Sequence, residues 1–243
     1  MNTVEYGSGD HIIVGLHGWG GDHRTFAPLV PLLPPRWRLI AANLPGYGAT
    51  PLIEPLRIDR TAELVATMIE SLPAPVIVIG SCSGAVIALE TALRIPQRIR
   101  RIIALDLFAF MPWYFRFFVS EPVGAIAYRM TFQTALGRKL VNIALRSRRR
   151  ADTDMMASFA DKQAAVTRAY LKALAQLPGP QRYASIIQPV AIVWGERTFA
   201  AVRRSIPIWR RYLRALSDHP IENAGHLLLD EAPEKVASII FDE

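Results

Sequence analysis

Val76-Ile77-Val78-Ile79-Gly80-Ser81-Cys82-Ser83-Gly84 leads from an apolar, β-branched run directly into the helical stretch Ser83 to Arg94, which stops before Pro96. The run reads as a buried strand. Between strand and helix, Gly-x-Cys-x-Gly is the pattern of a sharp turn that exposes its middle residue, and the glycines let the two elements approach each other. Cys82 stands at the apex, whereas Ser81 and Ser83 flank it. A lone buried cysteine is ordinarily an inert small hydrophobe; at this apex it is a candidate nucleophile.

Outward from the turn, Ile12–Leu16, Arg38–Ala42 and Ile99–Leu105 also read as buried strands, bounded by Gly, Pro or Arg. Asp59 is placed to cap a helix running to about Leu72, ahead of Pro73 and Pro75. This alternation predicts an α/β fold with a mostly parallel sheet and helices on both faces. It breaks between about Met111 and Arg182, where the spacing is helical and aromatic residues are frequent. Strand-like sequence resumes at Val190–Trp194, followed by a helix over Ala201–Leu216, a short strand near Pro220–Glu222 and a helix over Ala232–Ile240. One α/β domain, residues 1–111 and 183–243, interrupted by a helical insertion, residues 112–182, is the simplest organisation.

The chain has 243 residues, 51% hydrophobic and 20% charged, which suits a globular domain and excludes disorder and collagen-like structure. One cysteine excludes a disulfide framework and a multi-cysteine zinc site, and no two histidines have ligand spacing, so neither metal nor cofactor is expected. The net charge of +7 is uneven. Residues 112–182 hold 12 basic and 4 acidic side chains, while the rest hold 16 and 17. No nucleic-acid motif accompanies this charge, so nucleic acid is not an expected partner. The N-terminal residues MNTVEYGSGD lack the basic start of a signal peptide. Leu107 to Val119, the longest apolar stretch, contains Pro112 and Arg116 and is too short for a transmembrane segment. A cytoplasmic location is the expectation.

Three further motifs follow predicted strands. In His17-Gly18-Trp19-Gly20-Gly21, a glycine-rich turn can aim a backbone amide at a developing oxyanion. The Trp19 amide, with that of Ser83 just after the apex, would form the hole, and His17 would prop the loop. Asn43-Leu44-Pro45-Gly46-Tyr47-Gly48 ends the next strand. Asn223-Ala224-Gly225-His226 falls in a late loop that suits a mobile general base, whereas His11, His23 and His219 read as surface or structural residues.

In order and spacing, HGWGG, NLPGYG, GSCSG and NAGHLLLDEAPEKV resemble the α/β-hydrolase superfamily. The likeness is strongest to small bacterial carboxylesterases of the pimeloyl-acyl-carrier-protein methyl esterase type. It covers nearly all of the chain outside the insertion, which falls where that family carries a cap. The resemblance implies Cys82 as nucleophile, His226 as general base, and the Trp19 and Ser83 amides as oxyanion donors. Three positions depart from the pattern. Cys82 replaces the usual serine, and Asn43 replaces an aspartate. Thr198, in Trp194-Gly195-Glu196-Arg197-Thr198, stands where the acid is commonly found. Some members carry the acid one strand earlier, which points to Asp106 at the end of Ile99–Leu105, with Glu196 as an alternative. Asp106 could equally cap the loop that follows it. Phe108, Trp113, Tyr114 and Phe117 would form either the wall of an acyl pocket or the core of the cap.

These residues together predict an acyl ester or thioester hydrolase working through an acyl-enzyme. A thiol starts near pKa ~8.5 and is lowered beside a histidine or a helix N-terminus, so such an enzyme depends less on a third residue than a serine enzyme does. An acyltransferase of the same fold and a non-catalytic binding member are the alternatives. The basic insertion would steer acidic partners, such as an acyl carrier protein, a CoA-linked acyl group or an anionic membrane surface.

Overall fold

In the computed structural model, which describes residues 1–241, the predicted alternation builds a seven-stranded sheet. Its strands are β1 (Thr3–Tyr6), β2 (His11–Leu16), β3 (Trp37–Ala42), β4 (Val76–Ser81), β5 (Ile99–Leu105), β6 (Val190–Gly195) and β7 (Leu216–Ile221). Their order is β1-β3-β2-β4-β5-β6-β7, and every pairing is parallel except β1 with β3. The period-2 alternation of side chains sorts the strands' residues into two cores. On one face Val14, Val78, Ile102 and Ile192 pack with α1 (Ile58–Glu70) and α2 (Ser83–Arg94). On the other, Ile13, Ile79, Ile103 and Val193 meet the 3-10 segment His23–Leu32 and the C-terminal helices.

Four helices, α3 (Trp113–Val119), α4 (Val123–Tyr128), α5 (Ala135–Ala144) and α6 (Ala164–Ala175), lie between β5 and β6 with no strand among them. The fold closes with α7 (Ala200–Tyr212), α8 (Leu228–Glu231) and α9 (Pro233–Phe241). The α3–α6 region has its own cluster of Tyr128, Phe132, Met156, Phe159 and Leu171. Trp19 joins it to the sheet, with ring centroids 4.8 Å from Phe159, 5.1 Å from Phe132 and 5.5 Å from Phe115. Because Trp19 follows β2, these helices sit over the loops that leave the C-terminal ends of the strands, where a parallel sheet presents its binding crevice.

Two elements have no counterpart in the sequence expectations, and three local expectations are corrected. β1 has no strong apolar signature in the sequence; its pairing with β3 makes it a strand. His23–Leu32 forms a 3-10 segment, and Pro28 and Pro31 within it lack the amide hydrogens of a regular α-helix. Asp59 does not cap α1. Arg57 holds that position, and Asp59, in the first turn, accepts from Arg57 Nε at 2.9 Å. α7 ends at Tyr212, because Leu216 already belongs to β7. That strand reaches back well before Pro220, and proline is tolerated because β7 is a sheet edge.

Candidate active site

The apex of the β4–α2 turn is strained. Cys82 has φ 52° and ψ −112°, a conformation that L-residues avoid. Strand and helix meet so closely that a Cβ on Gly84 would lie 2.1 Å from the Leu16 carbonyl oxygen, and one on Gly80 would lie 2.5 Å from Ala85. Only glycine fits either position, which is why the sequence brackets Cys82 with two. The Cys82 amide is tied to the Leu105 carbonyl at 2.8 Å, so the turn is anchored to the end of β5.

Asp106 directly follows β5. It too has positive φ, 49°, and its amide donates to Val193 O on β6 at 2.8 Å. Its carboxylate is 1% exposed and is satisfied from three sides. His226 Nδ1 donates to Oδ2 at 2.6 Å, Thr198 Oγ1 donates to the same oxygen, and the Gly195 amide donates to Oδ1 at 3.3 Å. Asp106 is thus the carboxylate that meets His226. Glu196 is exposed, with its amide bound to Ile221 O at 3.1 Å, so the alternative acid falls away. Thr198, the apparent loss from the hydrolase pattern, is a buried hydrogen-bond donor to the Asp106 carboxylate.

His226 is fixed on every side. Its amide donates to the Arg148 carbonyl at 3.0 Å, and its ring packs edge-on against Phe199 at 4.8 Å. Gly225 beneath it is required, since a Cβ there would lie 2.1 Å from Arg148 O. The Gly225 amide reaches Glu231 Oε2 at 2.6 Å. Burial disfavours a charged ring at His226, but the hydrogen bond to Asp106 and the nearby Cys82 outweigh it and raise the imidazole from 6.5 to about 10.

His17 props the neighbouring loop. The Leu44 amide donates to its Nε2 at 3.1 Å, which places the ring proton on Nδ1, 2.9 Å from Gly18 O. Burial lowers this fully enclosed ring from 6.5 to about 4, so it is neutral at pH 7. The loop it holds runs past the turn, and a Cβ on Gly18 would lie 3.2 Å from Cys82 Cβ. Neither the Trp19 nor the Ser83 amide donates to an acceptor among the described residues. Asn43, the other departure, accepts from the His23 amide at 3.0 Å and donates to Asn2. An amide side chain can do both, whereas a carboxylate can only accept.

Cys82 and His226 open on a cavity of about 1170 Å³. Phe108 and Tyr114 line it as expected of pocket residues. Trp113 and Phe117 do not line it; they are 80% and 47% exposed. The reason is helical: Tyr114, Phe115 and Phe118 occupy the inward face of α3, and Trp113 and Phe117 the outward one. Sequence reasoning missed Trp19, Met155, Met156, Phe159, Val202 and Leu227 in the lining. It also missed the Arg148 carbonyl behind His226, for which no side-chain signal exists.

The basic excess of residues 112–182 is partly consumed within the fold. Lys162 pairs with Asp22 and Asp161, each at 2.8 Å, and Arg168 and Lys172 share Glu121 at 2.6 and 2.9 Å. Arg182 pairs with buried Glu90 at 2.8 Å. The cavity lining itself carries Asp22, Asp152, Asp154, Asp161 and Asp230 against Arg24 and Arg150, so the chamber is not the cationic funnel that the charge count suggests.

Comparison with known proteins places this geometry in context. The profile of the alpha/beta hydrolase family matches residues 13–239. A pimeloyl-[acyl-carrier protein] methyl ester esterase of Neisseria meningitidis is 35% identical over 94 residues, which cover 39% of this chain and 29% of that protein. The chain therefore aligns with about a third of the length of that relative. A thermophilic esterase from Thermogutta terrifontis superposes with a TM-score of 0.81 at 18% identity, covering 99% of this chain and 91% of its own. The enol-lactonase of Burkholderia xenovorans LB400 does so at 0.78 and 18%, covering 99% and 95%. At those identities the two structures speak to fold alone.

Proposed function

From the premise that this chain belongs to the alpha/beta hydrolase family, we propose that it hydrolyses acyl esters or thioesters with Cys82 as nucleophile. The observation that carries the reading is an apical, strained Cys82 that opens on the same cavity as His226, whose ring is hydrogen-bonded to Asp106. Cys82 passes its thiol proton to His226 Nε2, and Sγ attacks the acyl carbonyl while the Trp19 and Ser83 amides receive the oxyanion, each contributing about 3–4 kcal/mol of transition-state stabilisation. The tetrahedral intermediate collapses with cleavage of the ester bond, and His226 gives its Nε2 proton to the departing alcohol or thiol. His226 then takes a proton from water, the hydroxide attacks the thioester, and the carboxylic acid leaves as Cys82 regains its proton. Asp106 orients the ring throughout and stabilises its charged form.

Residues 112–182 act in this reading as a cap that closes an apolar acyl chamber. Phe108, Tyr114, Phe115 and Phe159 in the cavity lining support an acyl group rather than a polar one. The relatives, named as esterases for the methyl ester of pimeloyl-[acyl-carrier protein], support a carrier-borne acyl group as substrate. Intact-mass spectrometry after exposure to activated esters and acyl-CoA tests the mechanism. An adduct of the acyl mass is expected on the native chain and absent from Cys82→Ala. No adduct, or one that survives that substitution, overturns it.

A further inference from the structure

The side chains of Arg116, Arg129, Lys139 and Arg146 are exposed and make no hydrogen bond or ion pair with any described residue. Along the chain they alternate with large apolar side chains that are also exposed: Trp113 and Phe117 on α3, Val123 and Ile126 on α4, and Leu136, Leu140 and Ile143 on α5. On α5 the spacing of Leu136, Lys139, Leu140 and Ile143 makes one outward stripe, while Val141 and Leu145 face the cavity. α3 repeats the arrangement, so both helices carry an apolar face on each side. Leu136 is 68% exposed, and a water-facing helix does not ordinarily spend such residues on solvent.

The charge pattern selects the occupant. Between Leu107 and Ala151 the sequence has one acidic residue, Glu121, and Arg168 and Lys172 neutralise it. A second copy of the chain would bring four unpaired cations against four more, which opposes self-association. An acidic protein would answer the charges but not the apolar side chains that outnumber them. Apolar side chains interleaved with unpaired cations, including an exposed tryptophan, match the boundary of an anionic bilayer. No described helix is long and apolar enough to cross a membrane.

We propose that the outward faces of α3, α4 and α5 dock on an anionic phospholipid surface, with the apolar side chains at the acyl boundary and the four cations at the phosphates. The docking is independent of the chemistry assigned to Cys82 and is read without turnover. The probe is the full chain with vesicles of phosphatidylcholine alone, or of phosphatidylcholine and phosphatidylglycerol in equal parts, at low and high salt. Cosedimentation is expected with the anionic vesicles only, with a blue shift of tryptophan emission that Trp113→Phe abolishes. Replacing Arg129, Lys139 and Arg146 with Gln should lower partitioning by roughly a hundredfold. Leu136→Ser with Leu140→Ser should lower it at least about tenfold while leaving the charge intact. All these side chains are exposed, so a circular dichroism spectrum and a melting temperature like those of the native chain are expected for each variant. Absence of binding at low salt overturns the proposal. So does loss on removing the cations but not the leucines, which would indicate an acidic protein partner, or a dimer in solution that hides Trp113.

Discussion

Thr198 Oγ1 donates to the same Asp106 oxygen that accepts from His226 Nδ1 at 2.6 Å. The threonine hydroxyl also lies 3.5 Å from that ring nitrogen. One side chain thus stands where the hydrolase pattern commonly has its acid, and it holds a carboxylate that comes from a different strand. This relationship makes the placement of the acid experimentally accessible. Asp106→Asn should reduce turnover. The double variant Asp106→Asn with Thr198→Asp should recover at least about tenfold of the loss, since the introduced carboxylate would lie within reach of His226 Nδ1. Steady-state kinetics on an activated ester decide it; a double variant no faster than the single one contradicts the geometry.

Thr198→Val keeps the volume but removes the donor from a buried carboxylate. Leaving that oxygen short of a partner should cost about 1–3 kcal/mol of stability, read from urea denaturation. A stability unchanged within error would mean that Asp106 does not depend on the hydroxyl.

His226 should titrate near 10 in the native chain, as followed by its ring proton chemical shifts. With the folded value above 6.5, the group adds stability that is fully present below pH 6.5 and is lost as pH rises through about 10. In Asp106→Asn the main opposing influence disappears while burial remains, so the value should fall by several units. A native value near 6.5 would show that the partners do not hold the ring charged.

His17 gives the opposite sign. Its folded value of about 4 lies below 6.5, so the stability from burying the neutral ring is present above pH 6.5 and is lost as pH falls toward 4. The contribution lost is roughly 3 kcal/mol. Melting temperatures between pH 7 and pH 4 should therefore fall more steeply in the native chain than in His17→Gln, whose side chain has no charge to acquire. Parallel curves would remove His17 from the acid sensitivity.

Gly225→Ala would put a methyl group where the Arg148 carbonyl oxygen is only 2.1 Å away. The loop must yield, and His226 with it, so kcat should drop at least about tenfold for a soluble ester. An unchanged kcat would show that the loop's seat on Arg148 is dispensable.

The fold and the turn at Cys82 are legible in the sequence because both rest on short-range rules. Apolar strands alternate with helices, and glycines flank Cys82 where no Cβ fits. His226 is legible from its loop. Asp106 emerges only through the resemblance and stays one of two carboxylates, since nothing local distinguishes it; its φ of 49° and the inward turn of its side chain exist only in three dimensions. The pocket is legible in half. Phe108 and Tyr114 belong to it while Trp113 and Phe117 do not, because a run of aromatics gives no phase until the helix axis is known. Residues such as Met155 and Phe159 reach the cavity from distant sequence, and the Arg148 contribution comes from a backbone carbonyl. The charge count misleads for a related reason: composition cannot show which cations already have partners.

The carbonyl of Arg148 binds the amide of His226, and the Arg148 guanidinium reaches Thr198 O at 3.3 Å. The segment around Arg148, within the helical insertion, is therefore a structural part of the loop that carries the candidate base. Exchange of the insertion between relatives would not behave as a clean swap of specificity modules. A chimera that keeps residues 146–150 native should hold its own base in register, whereas one that replaces them would import a foreign support beneath it. Under the proposed division into core and cap, residues 146–150 would belong to the support of the candidate base, well inside the boundaries 112 and 182.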